Sequence, residues 1–337
     1  MKKVFIIAEA GVNHNGDLNL AFQLVDKAVE IGADCVKFQT FKTENIVTKT
    51  SPKANYQMLV TDKTESQFDM LKKLELQKED FKKIKDYCKT KGIQFLSTPY
   101  NPEDATLLND LGVEAFKIAS GQLVELPFLK FVAKFGKQMI ISTGMANLAE
   151  VYKAVEAIKS TGNNDVIVLQ CNTDYPSKIE DTNMKAMITM RDALGVPVGY
   201  SDHVPTNYAC YAAVALGAEV IEKHFTLDKN MEGPDHKCSL EPEEFRELIA
   251  GVRAVEKCLG TGVKIPSQSE VNNTYGMRRS LVARIDIKAG TILTEEHFGF
   301  KRPANGLSPN YLETLIGKKV AKDMLQDEAF SFESILF

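Results

Sequence analysis

Short apolar, β-branched runs alternate with longer amphipathic stretches over the first 260 residues of this chain. The runs cover 4–10, 35–40, 93–98, 115–120, 138–143, 166–172, 196–201 and 219–225. Each is short and rich in Val, Ile and Phe, which predicts a buried strand. Between them, 18–31, 65–91, 102–111, 148–161, 184–194 and 206–216 place apolar residues at helical spacing. A further helix is predicted over 242–259, with Pro242 near its first position, acidic Glu243 and Glu244 in its first turn, and Gly260 after its end. Glycines 32, 92, 112, 136, 195 and 217 stand between a helical stretch and the next strand. Strands alternating with helices imply parallel pairing, and eight repeats predict an α/β fold of the (β/α)8 TIM-barrel type. A doubly wound sheet is the competing arrangement. It usually has fewer strands and a Gly-rich first turn, whereas the first turn here, GVNHNG, lacks the G-x-G-x-x-G spacing.

The pattern changes after Gly260. Residues 261–278 are polar and read as a linker, and 279–337 are rich in short strands and turns. Lys288-Ala289-Gly290 reads as a tight turn, Arg302-Pro303-Ala304-Asn305-Gly306 as a loop, and Thr294 with Glu295 and Glu296 as a helix start. The expected organisation is a catalytic barrel over 1–260, a linker over 261–278 and a small β-rich domain over 279–337.

Composition narrows the function. With 41 basic and 45 acidic side chains, the net charge is −4. There is no basic excess for nucleic acid or an anionic membrane, so an anionic ligand needs a local cluster of cations. Six scattered cysteines without a C-x-x-C pair fit reduced thiols and a cytoplasmic location. The apolar run near the first residue is too short for a secretory signal, and no stretch is long enough to span a membrane.

Polar residues at the C-terminal ends of barrel strands face an active site. Strand one ends in Glu9, before Asn13-His14-Asn15-Gly16. Strand two carries Lys37 and Gln39 on one face. Strand three ends in Ser97-Thr98. Strand four carries Lys117 and leads to Ser120, and strand five carries Ser142. Strand six leads to Asn172, Thr173 and Tyr175. Strand seven gives Ser201 and His203, and strand eight Glu222 and His224. A lysine inside an apolar strand is costly unless paired, so Lys37 and Lys117 read as anion ligands. His203 and His224 would stand about 5 Å apart on adjacent strands and could converge on an exchangeable divalent cation; two hydrogen-bonding histidines without metal are the alternative. His236 and Asp235 lie in the loop after strand eight, and His297 reads as a surface residue. These residue types suit a ligand with phosphate, carboxylate and carbonyl groups. They do not separate an aldolase, a phosphosugar lyase and a phosphoenolpyruvate condensing enzyme.

The segments AEAGVNHNGD, ADCVKFQTF, LSTPY, FKIASG, ISTGMA, GYSDH, IEKHFTLDKNMEGPDHKCSLEP and KRPANG resemble the sialic acid synthase (NeuB-type) family nearly end to end. The resemblance implies a TIM barrel followed by an antifreeze-like (SAF) domain, in a domain-swapped homodimer whose small domain covers the partner's site. It implies a reaction between phosphoenolpyruvate and an N-acylated mannosamine, giving a nonulosonic acid and phosphate. By motif, Lys37, Thr98, Lys117, Ser120, Ser142 and Ser201 resemble phosphoenolpyruvate ligands. His203 and His224 resemble ligands of a metal, usually Mn²⁺, with Mg²⁺ or Co²⁺ as alternatives. Glu9, Gln39, Tyr175 and Asp235 resemble sugar-facing residues, and Arg302 the arginine offered to the neighbouring subunit's substrate. Asn172-Thr173-Asp174-Tyr175 departs from the Thr-Asn that usually precedes Tyr-Pro by two residues. KFQTF, NYQ (55–57), GYSDH and LDKNMEGPDHK look closer to the legionaminic acid branch, whose sugar is 2,4-diacetamido-2,4,6-trideoxymannose, than to N-acetylneuraminate enzymes using N-acetylmannosamine.

The implied chemistry is attack of phosphoenolpyruvate C3 on the sugar aldehyde, which the metal polarises. Water then traps C2, and phosphate leaves by C–O cleavage. Lys37 and Lys117 neutralise the anion, and Glu9 or Glu222 carries protons. A different metal-dependent aldolase on the same barrel, or a binding protein whose small domain recognises a surface polymer or ice, are the alternatives.

Overall fold

The computed structural model describes residues 3–54, 57–58, 61–62 and 64–337; Asn55 and Tyr56 of the NYQ segment lie outside them. The chain divides into two compact units, Met1–Gly260 and Thr261–Phe337.

The first unit is the eight-stranded parallel barrel. Its strands are β1 (Phe5–Gly11), β2 (Cys35–Thr40), β3 (Gln94–Pro99), β4 (Ala115–Ile118), β5 (Gln138–Ser142), β6 (Val166–Cys171), β7 (Val198–Asp202) and β8 (Val220–His224). Hydrogen bonding runs β3-β2-β1-β8-β7-β6-β5-β4, and β3 packs beside β4 to complete the ring. Alternation along each strand divides the core. Outward residues such as Ile6, Val36, Phe95, Phe116 and Ile141 join the helices in one large apolar cluster. Inward residues Ile7, Cys35, Leu96, Ala115, Ile140, Ile167, Leu169 and Val220 form a separate plug. Two residues further along most of these strands, the inward set turns polar: Glu9, Lys37, Thr98, Lys117, Ser142 and Glu222. A layer of apolar side chains thus seals the barrel beneath a polar layer.

Local signals start and stop the helices, among them the Pro242 start read from the sequence and a cap at Asn147 that was not. Asn147 and Glu150 form a reciprocal cap on the helix Leu148–Lys159, and Pro242 opens Pro242–Leu259. Three stretches differ from expectation. The amphipathic stretch 65–91 is two helices, Gln67–Lys73 and Lys78–Lys91. Between them Leu74 and Leu76 turn into the core and Glu75 accepts a hydrogen bond from Thr43 N at 2.7 Å. Helix Leu126–Ala133 has too few polar residues for its period to be read. Residues 268–277 of the expected linker form a helix, because Ser267 and Glu270 cap it reciprocally. No described helix is long and apolar enough to cross a membrane.

The second unit has its own core of Leu281, Ala283, Ile287, Leu293, Phe298, Leu307, Leu315, Val320, Met324, Phe330 and Ile335. Antiparallel pairs Ser280–Ala283 with Phe298–Lys301, and Lys319–Val320 with Ile335–Leu336, frame it. Thr294 precedes a single 3₁₀ turn, with His297 Nδ1 beside its hydroxyl at 2.9 Å. The 302–306 loop is held by the helix Gln268–Met277 and by Ser280. Arg302 Nε donates to Met277 O at 2.9 Å, Ala304 N to Tyr275 O at 2.7 Å, and Ser280 Oγ to Pro303 O at 3.0 Å.

Candidate active site

The polar layer opens into a cavity of about 240 Å³ at the C-terminal ends of the strands. Of the residues singled out above, Glu9, Lys37, Gln39, Thr98, Lys117, Ser120, Ser142, Tyr175, Ser201, His203, Glu222, His224 and Asp235 all line it.

Strand register explains the contacts. Glu9 pairs with Lys37 on β2 and with His224 on β8, and Ser201 pairs with Glu222. Lys37 Nζ lies 3.1 Å from Glu9 Oε2 and 3.3 Å from Glu222 Oε2, and it reaches Thr98 Oγ1 at 3.4 Å. Lys117 Nζ is 3.4 Å from Glu222 Oε1 and donates to Ser142 Oγ at 2.7 Å. Ser201 Oγ donates to Glu222 Oε1 at 3.0 Å. Two ammonium groups and two carboxylates therefore share one buried volume, each paired.

The two carboxylates differ because their neighbours differ. Burial pushes Glu9 up to about 7; its single lysine offsets this only partly, and the Glu222 charge adds to it. Burial acts on Glu222 as well, but Lys117 and Lys37 together, with the Ser201 hydroxyl, hold it down at about 2. Burial favours the neutral form of both lysines. Glu222 and Glu9 reverse this for Lys37 and raise it, while Lys117 stays below the ordinary lysine value. Asp235 is raised to about 6, mainly by burial.

Gln39 joins this cluster to the rim. Its Nε2 donates to Glu9 Oε1 at 3.3 Å, and Tyr100 OH donates to its Oε1 at 3.1 Å. Gly11 keeps the space open. At φ +54°, a Cβ there would meet Glu9, Gln39 and Asp235 at 3.2, 3.3 and 3.6 Å. Thr173 is exposed, with its hydroxyl over Gly144: a Cβ on Gly144 would lie 2.1 Å from Thr173 Oγ1 and 2.8 Å from Ser120 Oγ. Asn172 turns away to donate to Asp181 O at 2.7 Å. His236 braces the loop, with Thr226 Oγ1 at 2.6 Å from Nδ1 and Asn15 Oδ1 at 3.2 Å from Nε2. Arg302 is exposed in the second unit.

His203 and His224 come together, with ring centroids 5.3 Å apart and the Tyr175 ring 4.1 Å from His203. His203 Nδ1 donates to Asn172 O at 2.6 Å, the tautomer that leaves Nε2 as a ligand. Among the described residues His224 Nδ1 is buried without a hydrogen-bond partner, and burial, with His203 adding repulsion, keeps that imidazole well below its ordinary value. Two nitrogen donors, one with an orphaned buried atom, fit a divalent cation whose other ligands are water or substrate. Among the described residues no group of three or more His, Cys, Asp or Glu is arranged to hold a metal by itself.

Tyr100 and Cys171 line the cavity and were not singled out from the sequence. Both continue the inward parity of their strands, Leu96-Thr98-Tyr100 and Ile167-Leu169-Cys171, and that alternation could have found them. Gln57 and Gln67 arrive from the β2-to-helix insertion and carry no such signal.

A (β/α)8 barrel with paired lysines, two carboxylates and two histidines at its mouth has the features of a carbonyl–phosphate active site. The chain belongs to the NeuB family: that family's model matches residues 24–264, and a SAF domain model matches 278–336. It is 49% identical over 330 residues to the N,N'-diacetyllegionaminic acid synthase of Campylobacter jejuni, covering 97% of this chain and 99% of that one. It is 41% identical over 335 residues to the synthase of the same name from Legionella pneumophila, covering 98% and 94%. The crystal structure of N-acetylneuraminic acid synthetase from Leptospira borgpetersenii, in complex with citrate, matches with a TM-score of 0.72 at 34% identity, over 81% of this chain and 90% of that one.

Proposed function

We propose that this chain condenses phosphoenolpyruvate with an N-acylated mannosamine to give a nonulosonic acid and phosphate. The observation that carries the reading is the pair of buried lysines, Lys37 and Lys117, facing the cavity beside Thr98, Ser120, Ser142 and Ser201. They suit an anion with phosphate and carboxylate groups. Two relatives, at 49% and 41% identity, are named N,N'-diacetyllegionaminic acid synthases. They favour 2,4-diacetamido-2,4,6-trideoxymannose over N-acetylmannosamine as the sugar.

In this reading C3 of phosphoenolpyruvate attacks the open-chain aldehyde. Water adds at the electron-poor C2, and the tetrahedral adduct expels phosphate by breaking the C2–O bond. Lys37 and Lys117 hold the anion through both steps. Glu9 is the proton carrier, since it alone of the two carboxylates titrates near neutrality. Its carboxyl protonates the aldehyde oxygen as the C–C bond forms and regains a proton from the water adding to C2. Glu222 stays ionised and fixes both ammonium groups. Gln39, Tyr175 and Asp235 face the sugar, and Thr173 stands at the rim beside Ser120. His203 and His224 would hold the divalent cation, Mn²⁺ in first place, which supplies Lewis-acid polarisation of the aldehyde when bound. All six thiols are free, which suits the cytoplasm. The assembly is a homodimer in which the second unit of one chain offers Arg302 to the partner's substrate; a planar guanidinium can donate to an acyl oxygen while staying charged.

The test is phosphate release with phosphoenolpyruvate and each sugar, alone and together. Release that requires both substrates and Mn²⁺, with a product mass equal to sugar plus pyruvate, is the expected result. Release without sugar, or a product that retains phosphate, would refute it.

A further inference from the structure

The insertion between β2 and the helix Lys78–Lys91 builds a cavity wall that the chemistry above does not use. It supplies Phe41, Ile46, Gln57, Gln67 and Leu71, and Val12 after β1 joins them. None of these six carries a charge, in contrast to the lysine–carboxylate floor. Phe41, Ile46, Leu71, Val12 and Tyr100 pack as one apolar cluster with Leu74. At the same wall Gln67 Nε2 donates to Gln57 Oε1 at 3.3 Å, and Ala54 N donates to that oxygen at 3.0 Å. Two neutral amides thus stand against an aliphatic surface. Buried Lys53 braces the segment, donating to Thr61 Oγ1 at 3.0 Å, Asp62 O at 2.5 Å and Glu65 Oε1 at 2.9 Å.

With no cation among its described lining residues, this wall suits an anion poorly, and its aliphatic part gains nothing from a bare hydroxyl. It complements a group with an amide and a methyl. Its position fits the far end of the sugar: the histidines stand on β7 and β8, and the wall follows β1 and β2, roughly 10 Å away at two strand spacings. We infer that this wall is a subsite for a second acylamino substituent on the sugar, remote from the aldehyde, with Gln67 and Leu71 as specificity-determining residues. The inference rests on the proposed reaction and adds to it the residues that set the choice between sugars.

The test compares Gln67→Leu and Leu71→Asn with wild type, measuring kcat/KM for 2,4-diacetamido-2,4,6-trideoxymannose and for N-acetylmannosamine, and KM for phosphoenolpyruvate. Gln67→Leu is close in size, and Leu71→Asn keeps the branched outline of the side chain. Losing one complementary contact should lower kcat/KM for the diacetamido sugar on the order of 10-fold or more, leaving N-acetylmannosamine within about 3-fold. The phosphoenolpyruvate KM should stay unchanged. If Gln67→Leu fails to fold, as thermal melting would report, Leu71→Asn carries the comparison. An active wild type whose preference between the sugars is the same in the folded variants would overturn the subsite alone. A wild type inert toward both sugars would overturn the functional reading and the subsite with it.

Discussion

Lysines inside apolar strands are ambiguous until the face they point to is known. Lys37 and Lys117 lie on the inward parity and meet the cavity; Lys223, equally buried in β8, points the other way. It pairs with Asp202 and donates to Val204 O at 2.6 Å and Thr206 O at 3.0 Å, locking the turn behind His203. Parity along β2, β4 and β8 makes that distinction readable from sequence. The different fates of Glu9 and Glu222 were not readable, because they depend on which carboxylate sits between two ammonium groups. The raised value at Glu9 has a stability consequence. A carboxyl that binds its proton more tightly when folded contributes fully below its ordinary value of 4.5, and loses that contribution as pH rises through about 7. Glu9→Gln stays neutral throughout. Relative to wild type it should gain stability between pH 5 and pH 8, by about 2 kcal/mol in denaturant unfolding. Parallel stability curves for the two proteins would contradict the assignment. In turnover, Glu9→Gln should cost roughly 10²–10⁴-fold in kcat, the range for a positioned acid–base group.

At the scale of elements, all eight strands and most barrel helices were legible, because hydrophobic period and capping residues agree locally. The stretches that were not legible share a physical reason. Helix Leu126–Ala133 has buried Phe128, Leu129, Val132 and Ala133 and little polar face, so no period marks it. The helix Gln268–Met277 has no buried residue and reads as polar linker until its cap is noticed. The wall made by Phe41, Ile46, Gln57, Gln67 and Leu71 is assembled by long-range packing. Close packing of β7 on β8 rests on Gly199, where a Cβ would lie 2.4 Å from Val220 O and 2.7 Å from Leu169 Cδ2. The first obstacle is a neighbouring strand's backbone and cannot rotate away. Gly199→Ala should therefore cost about 2–3 kcal/mol of unfolding free energy. A loss below about 1 kcal/mol would show that the β7–β8 pair yields more easily than this geometry implies.

At the scale of the whole molecule, the barrel holds both histidines, and Arg302 belongs to the second unit. If a partner chain supplies Arg302, two inactive variants should complement each other. A mixture of His203→Ala and Arg302→Ala chains, with exchange confirmed by native mass spectrometry, should recover roughly a quarter of wild-type activity, since about half the dimers are mixed and each has one intact site. Confirmed mixed dimers without activity would rule out the exchange of arginines. One isotope measurement reaches the reaction itself directly. Phosphoenolpyruvate carrying ¹⁸O in its bridging C2–O–P position is turned over with 2,4-diacetamido-2,4,6-trideoxymannose and Mn²⁺, and the label is located by mass spectrometry. C–O cleavage predicts that the heavy oxygen leaves with phosphate and that the nine-carbon acid carries oxygen from water at C2. Heavy oxygen retained in the sugar acid would mean P–O cleavage and would contradict the account.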